Sequence, residues 1–469
     1  MLLKKLYDIL VKIYFDIIRD PLVAVCGRLK KVPKKLVLDM DWYHWCLTEQ
    51  EERLNLHSHP LISRYADFIR IERSQVFKKK DPPLEISQAD YKGFTYGGFN
   101  LWGICKATIL SNLGALKIEP ENPGHLKEVQ RVYGEAVVGI ENIRKLFKRL
   151  RPDTVFVCQG GVFDSRCIIE VARRAGINVV GVENSMIGGF IIFDNLSGLI
   201  INRYSLARLG SEILETWQVT DSDRKKVFEM WRRKLSEKAD EHKTGGVDGA
   251  EEIRKALDIP EGKSLLLLLT QVRTDASIAL DSTLYEDPVD MIVEVAKSIR
   301  DSEDTLLLIR LHPKEFMGKA PNGIPYNRMT YNLLRERGID RMPNVKIVED
   351  PRYNTYTLME IANAGVTINS QAGFEMCLLG KPVMVCGNAF YGNKGFTVDL
   401  GHPAALKPTL DFLVHKAEMS PGQHERALNF LHFLYTRHLF DHKLSINQER
   451  LAEIFGIRPM PGVGRKDRR

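Results

Sequence analysis

The sequence has no Cys-x-x-Cys pair and no cysteine set spaced with histidine as metal ligands are, although it holds 7 cysteines (26, 46, 105, 158, 167, 377 and 386). That pattern excludes a disulfide framework and a zinc ribbon, and it reads as a reducing, cytoplasmic compartment. No run of 18 apolar residues exists, so no transmembrane helix is expected. No Asp-x-Asp motif falls in a convincing loop, which argues for chemistry without a metal. Net charge is low, +7 over 469 residues. It suits anionic small molecules or an acidic membrane surface and gives no sign of nucleic-acid binding. The opening "MLLKKLYDILVKIYFDIIRDPL" lacks the unbroken apolar core and small-residue cleavage site of a signal peptide. Its Leu2, Leu6, Ile9, Ile13 and Ile17 recur at helical spacing among Lys4, Lys5, Lys12 and Arg19. Two readings stand, a helix docked on the core or an amphipathic helix on an anionic membrane. The following "RLKKVPKK" favours the second.

What is present is an ordinary globular composition, 44% hydrophobic and 27% charged, in a chain too long for one core. Residues 1–70 read as mainly helical with a strand at "KLVLDM", and "DYKGFTYGGFNLWGICKATI" (90–109) reads as Gly- and aromatic-rich loops of the kind that line sites. A long helix covers 125–150. From 151 the pattern becomes βαβ: "DTVFVC", the loop "QGGVFDSR", the helix "CIIEVARRAG" and the strand "INVVGVE". The charged stretch 205–245 reads as a helical linker broken by "KTGGVDGAEE". A second series runs from "SLLLLLTQV" through "DTLLLIRLHP", "VKIVED" and "GVTINS" to "KPVMVCG" as its last strand. The expected organisation is α/β: an N-terminal domain over 1–250 with a helical extension, a Rossmann-like domain over 251–420, and helices from 421 that cross back, ending in a basic tail to 469. Two Rossmann-like domains facing a cleft describe the GT-B type of glycosyltransferase.

Three loops of the second half fall at the carboxyl ends of expected strands and converge on one edge: "TQVRTDAS", "LHPKE" and "NSQAGFE". In the second, Pro313 stiffens the chain and His312 is placed to donate to a phosphate oxygen, with Lys314 as a nearby point charge. A histidine that merely ends a strand is the plain alternative, and His59–Pro60 and His402–Pro403 show that the dipeptide alone means little. In the third loop, Ser370 stands where a strand hands over to a helix, whose start attracts anions. It is either a phosphate contact or only an N-cap. Gly373 would let the backbone approach a ligand, and Glu375, read in the first turn, would accept from ribose hydroxyls or simply gain from the helix dipole. In the first half Asp164 and Glu183 supply carboxylates for an acid–base or nucleophilic step, with Asp164 the preferred one because Arg166 beside it would keep it ionised. The plain alternatives are Asp164 as a helix cap and Arg166 paired with Glu170 at i,i+4.

The stretches "LLLLTQVRTDASI", "LLLIRLHPKE", "VTINSQAGFEMCLLGKPVMVCGNAFYGNKGFT" and "FDSRCIIEVARRAGINVVGVE" resemble the capsule polysaccharide biosynthesis family, which contains bacterial transferases that use CMP-Kdo to build the β-Kdo linker of capsular glycans. The resemblance covers about 155–400. It implies that Gln271, Asp275 and Ser277 stand in the family's Gln-containing loop and that His312 and Pro313 form its HP motif. It also implies that Ser370, Gly373 and Glu375 form the nucleotide-side corner, with Tyr391, Gly395 and Thr397 in the closing motif. The chain departs where members often carry Glu-Gly-Tyr, having Glu183-Asn184-Ser185, and in the loop before Arg166, both on the acceptor side. The implied activity is transfer of a Kdo-like sugar from a CMP-linked donor, without a cofactor or metal, to a surface glycan or glycolipid. A polyol-phosphate transferase or sugar epimerase of the same architecture, or a non-catalytic assembly or export factor, are the alternatives.

Overall fold

The computed structural model describes residues 35–40, 66–77, 90–158, 160–185, 190–195, 206, 209, 212–241, 249–317, 328–350, 352–415, 419–441 and 444–456. The amphipathic segment 1–22, most of the basic stretch behind it and the tail from 457 lie outside these residues.

The first half is built from β1 (Lys35–Asp39), β2 (Ala66–Arg70), α1 (Arg73–Val76), the hairpin β3 (Thr95–Tyr96) and β4 (Phe99–Asn100), α2 (Leu101–Leu113), α3 (Pro123–Leu150), β5 (Thr154–Cys158), α4 (Phe163–Arg174), β6 (Asn178–Asn184) and β7 (Phe190–Asp194). Strands β2, β1, β5 and β6 are parallel neighbours in that order, and β7 turns back antiparallel on β6. β2 and β7 have no counterpart in the sequence reading; "ADFIR" carries charge at both exposed positions and gives no apolar run. α3 starts with Pro123 at its first position, where a missing N–H costs nothing, and Asn122 caps it by accepting from the Gly124 N–H. Its apolar face, Val129, Val132, Ala136, Ile140, Ile143 and Phe147, repeats at three to four residues and is buried.

The Gly- and aromatic-rich segment folds as a hairpin running straight into α2 rather than as open loops. Gly97 and Gly98 have φ of 55° and 83°, which suits a two-residue turn. Arg174 grips both glycine carbonyls at 3.2 and 2.6 Å, and its guanidinium lies 3.7 Å from the centre of the Phe99 ring. Because Arg174 ends α4, the hairpin sits away from the carboxyl edge of the sheet, which is where ligands bind.

The second half contains α5 (Glu212–Thr216), α6 (Asp221–Glu241), α7 (Ala250–Ala256), β8 (Ser264–Leu269), α8 (Ala276–Asp281), α9 (Pro288–Ser298), β9 (Thr305–Arg310), α10 (Lys314–Met317), α11 (Met329–Glu336), β10 (Val345–Val348), α12 (Thr355–Ile361), β11 (Ala364–Thr367), α13 (Gln371–Leu378), β12 (Val383–Val385), β13 (Val398–Asp399), α14 (Leu406–His415), α15 (Pro421–Arg437), β14 (Leu439–Asp441) and α16 (Gln448–Ile454). Its sheet is parallel throughout, in the order β10-β9-β8-β11-β12-β13. That is the Rossmann order, so the chain reverses direction of travel between β8 and β11. The unbroken leucines of β8 follow from burial on both faces: Leu265, Leu267 and Leu269 pack with α12, α13 and α15, while Leu266 and Leu268 pack with α9. Strands β13 and β14 extend the series past "KPVMVCG", and β14 returns to pair antiparallel with β7 of the first sheet.

The stretch read as a linker is packed structure. α6 lies against α15, and its Val227 and Trp231 are buried in the same core as Leu265 and Phe430. Among the described residues no helix is long and apolar enough to cross a membrane, and the described cysteines, 105, 158, 167, 377 and 386, are buried free thiols. The two sheets meet through α2. It packs on α8 at the carboxyl edge of the second sheet, and its Thr108 hydroxyl accepts the Phe163 N–H at the start of α4, 2.9 Å away.

A tight crossing tests this packing. A Cβ on Gly139 of α3 would stand 2.0 Å from the Phe77 ring. Gly139→Ala is expected to cost about 1–3 kcal/mol through overpacking, read as a lower urea midpoint at unchanged m.

Candidate functional site

The loops after β9, β8 and β11 lie side by side at the carboxyl edge of the second sheet, with the β8 loop in the middle. Neighbouring strands are about 4.8 Å apart, so the β9 and β11 ends stand about 10 Å from each other across it. The β8 and β11 loops are tied together. The Gln271 side-chain amide donates to Asn369 Oδ1 and accepts the Asn369 N–H at 3.2 Å. Asn369, fully buried, donates in turn to the Ser277 carbonyl at 3.4 Å. Asp275 caps α8 by accepting from the Ser277 N–H at 2.8 Å, and the buried Ser277 hydroxyl faces the Gln271 amide at 3.4 Å. Gln271, Asp275 and Ser277 are thus brought together as expected, but their polar atoms are engaged mainly with one another.

The Ser370 corner is likewise more self-contained than a bare helix start. The N–H groups of Asn369, Ser370, Ala372 and Gly373 are taken by Gln271, the Thr367 hydroxyl, the Ser370 hydroxyl and the Ser370 carbonyl. Ser370 is the N-cap of α13. Its oxygen accepts from Ala372, which leaves the hydroxyl proton to donate outward. Gly373 serves a different end from the one expected: an added Cβ would lie 2.2 Å from the Tyr391 hydroxyl. The glycine makes room for Tyr391, which is fully buried and donates to the Ser370 carbonyl at 2.7 Å. Glu375 is the fifth residue of α13, not in its first turn, and is buried, accepting from the Gln371 amide at 3.0 Å. A glutamate there gains little from the dipole, which acts within the first turn.

His312 follows β9 and is half-buried. Its Nδ1 accepts the Lys314 N–H at 3.2 Å, so the neutral ring carries its proton on Nε2. Burial pushes its pKa down to about 4, with Lys314 adding to the drop and Asp275 opposing it. The imidazole at neutral pH is therefore an uncharged Nε2–H donor rather than a cation. Lys314 is exposed beside it. Behind it stands Arg310, a residue the sequence reading passed over. It is buried and donates to the carbonyls of Asp350 and Tyr353 at 2.8 and 3.0 Å, and to the Thr355 hydroxyl at 3.3 Å. A lone arginine inside "LLLIRLHP" was the available signal. Glu315 was also missed; buried, it accepts the Thr330 N–H at 2.9 Å and the Thr330 hydroxyl, fixing α11 beneath the loop.

On the first sheet the carboxylates part company. Asp164 lies in the first turn of α4, which has Val162 as its cap residue, and is fully buried. Its partner is Arg73 at 2.6 Å, not Arg166. Arg166 sits 4.0 Å from Glu170 in the i,i+4 arrangement. Glu183 is partly exposed at the carboxyl end of β6, opposite Ile192 of β7.

Residues 226–418 match the family described as "Capsule polysaccharide biosynthesis protein". The Escherichia coli protein named "Capsule polysaccharide export protein KpsS" is 33% identical over 139 residues, 29% of this chain and 33% of its own length. The match therefore spans only that share of the curated relative. Among solved structures, the Thermosulfurimonas dismutans KpsC beta Kdo 2,7 transferase aligns over 62% of this chain and 79% of its own at 16% identity and a TM-score of 0.37. The alpha,alpha-trehalose 6-phosphate synthase of Burkholderia multivorans aligns over 90% and 97% at 11% identity and a TM-score of 0.42.

Two measurements check this geometry. Gly373→Ala should displace Tyr391 and cost about 1–3 kcal/mol, whereas Tyr391→Phe removes one hydrogen bond for about 1 kcal/mol. Combined, the two should cost less than their sum, because the first already breaks the bond that the second removes. For His312, a folded pKa near 4 against 6.5 in the unfolded chain means that the unfolded state holds the extra proton between those values. Stability should be complete above pH 6.5 and fall as pH drops toward 4, and His312→Gln should remove that part of the acid sensitivity in denaturant titrations.

Proposed function

We propose, from the match of residues 226–418 to the capsule polysaccharide biosynthesis family, that the protein is a glycosyltransferase. It moves a sugar from a nucleotide-activated donor, CMP-linked and Kdo-like, onto a capsular or other surface glycan or glycolipid. The observation that carries this is a set of donors with protons to spare, His312 Nε2–H, the Ser370 hydroxyl and the Lys314 ammonium, on either side of a Rossmann switch point. That is the place and the chemistry for a departing phosphate. Charge develops on the phosphate oxygens as the glycosidic bond breaks, and preorganised donors stabilise it without reorganising. With these donors in place the step needs no metal.

The acting carboxylate belongs on the facing sheet, where attack on the sugar carbon or activation of the acceptor hydroxyl must originate. A fully buried carboxylate already ion-paired with Arg73 is a poor choice, so the role passes from Asp164 to Glu183. Asp164 and Arg73 instead anchor the start of α4. Placement in the cytoplasm, with residues 1–22 resting on the anionic inner face of the membrane, brings the enzyme to a lipid-linked acceptor. The curated relative's name gives a second reading, an assembly or export factor that retains the nucleotide fold without turnover.

Thermal-shift screening with CMP, CDP, UDP and GDP, followed by product analysis with CMP-Kdo, separates these readings. Stabilisation by CMP with EDTA-insensitive turnover is expected; nucleotide binding without any product across acceptors would favour the second. His312→Ala should lower turnover at least 100-fold, roughly the loss of one key oxyanion donor, at unchanged melting temperature. Glu183→Gln should abolish turnover and keep CMP binding. Asp164→Asn should instead lose about 3 kcal/mol of stability, the low end for a broken buried pair because Arg73 reaches solvent.

A further inference from the structure

The loop between β8 and α8 contains two side chains that the fold leaves unsatisfied. Thr270 and Thr274 are buried, 7% and 8% exposed, and neither hydroxyl has a hydrogen-bond partner. Buried polar groups without partners are rare, and each is disfavoured unless something fills the space beside it. These two are also held in place. Thr270 extends the ladder, its N–H donating to the Arg310 carbonyl at 3.1 Å, and Thr274 lies inside a turn closed by the Asp275 N–H to the Val272 carbonyl at 3.0 Å. The neighbouring Gln271 is clamped to Asn369 and Asp275 caps α8, which ties the loop beside each threonine. Their position is telling. The loop springs from β8, which lies between β9 and β11, and His312 and Ser370 stand in the loops that follow those two strands.

We propose that the hydroxyls of Thr270 and Thr274 are ligands of the donor phosphate, completing between His312 and Ser370 a set of mostly uncharged donors. A threonine hydroxyl donates one proton and still accepts, so it fits a phosphate oxygen without adding charge. This inference rests on the nucleotide-donor reading above and deepens it. Its electrostatic consequence is specific. Among the described residues of these loops Arg310 is committed to carbonyls, Arg273 is paired with Asp287 at 2.7 Å and His312 is neutral, which leaves Lys314 as the exposed cation. Affinity for the anion should then depend only weakly on ionic strength.

The test uses the full chain and CMP as the probe, with Thr270→Val and Thr274→Val, which keep side-chain shape and remove the hydroxyl, and Thr→Ser at each position as the rescue. Each valine is expected to weaken CMP binding by roughly fivefold or more, the worth of one hydrogen bond. The unliganded melting temperature should stay level or rise, since an unsatisfied buried group has been removed, and serine should restore affinity. Undiminished CMP binding by both valine variants would overturn the inference while leaving the donor reading intact. So would a fall in melting temperature at constant affinity, because the hydroxyls would then serve the fold. Failure of the unaltered protein to bind CMP, CDP, UDP or GDP would instead bring down the donor reading, and this inference with it.

Discussion

The side chains of Gln271 and Asn369 join the two strands that diverge at the centre of the second sheet, and much else depends on that bond pair. A Rossmann sheet opens a crevice where adjacent strands send their connections to opposite faces. Left alone, the two loops bordering the crevice would move independently. Here a single amide spans them, accepting from one backbone and donating to one side chain. The tie sets the level of Ser370 against the β8 loop, and Tyr391 then holds Ser370 from the other side through its carbonyl. Gly373 exists to let that tyrosine in. The candidate phosphate site is accordingly a product of contacts lying beneath it, and its donors are oriented before any ligand arrives.

The charge distribution around the site shows why burial matters more than residue type. Arg310, at the end of β9, is pushed down to about 10 by burial and remains a cation, yet its donors are consumed by main-chain carbonyls. Lys394, in the loop after β12, is fully buried and pushed down to about 8, resting against the Gly392 carbonyl. Both cations hold backbone. His312, read in the sequence as a donor to phosphate, is a neutral ring in place. The buried charges build the loops, and the donors left over at the crevice are the neutral His312 and Ser370 beside the exposed Lys314.

Much of this was legible beforehand. Continuous apolar runs such as "SLLLLL" and "TLLLIR" announce parallel strands covered on both faces, and the polar loops that follow them must share an edge. The resemblance of those loops drew attention to His312 and Ser370, which the structure sets just beyond β9 and β11. What stayed hidden depends on distant partners. Nothing in "FDSR" says that Asp164 will find Arg73 rather than its neighbour Arg166. Gly373 looks like a ligand approach until Tyr391 is seen filling it. Thr270 and Thr274 are unremarkable letters whose interest arises only because no partner reaches them. β2 and the three-residue β14 escape notice because pairing, not composition, makes them strands.

The pairing of β14 with β7 has a bearing on how the chain is made. Leu439 lies opposite Ile192, and the Thr154 hydroxyl donates to the carbonyl of Phe455, a separation of 301 residues. The first sheet therefore acquires its outer strand and part of its covering only after the whole second sheet has left the ribosome. Contacts so far apart in sequence are slow to form, and until they do, the edge of β7 offers unpaired backbone to any neighbouring chain. The second sheet draws its strands from one continuous stretch, yet one face of β8 is covered by α15, which comes after all of them. The stretch from α15 to α16 is thus a common closing segment, covering the second sheet with its helix and edging the first with its strand.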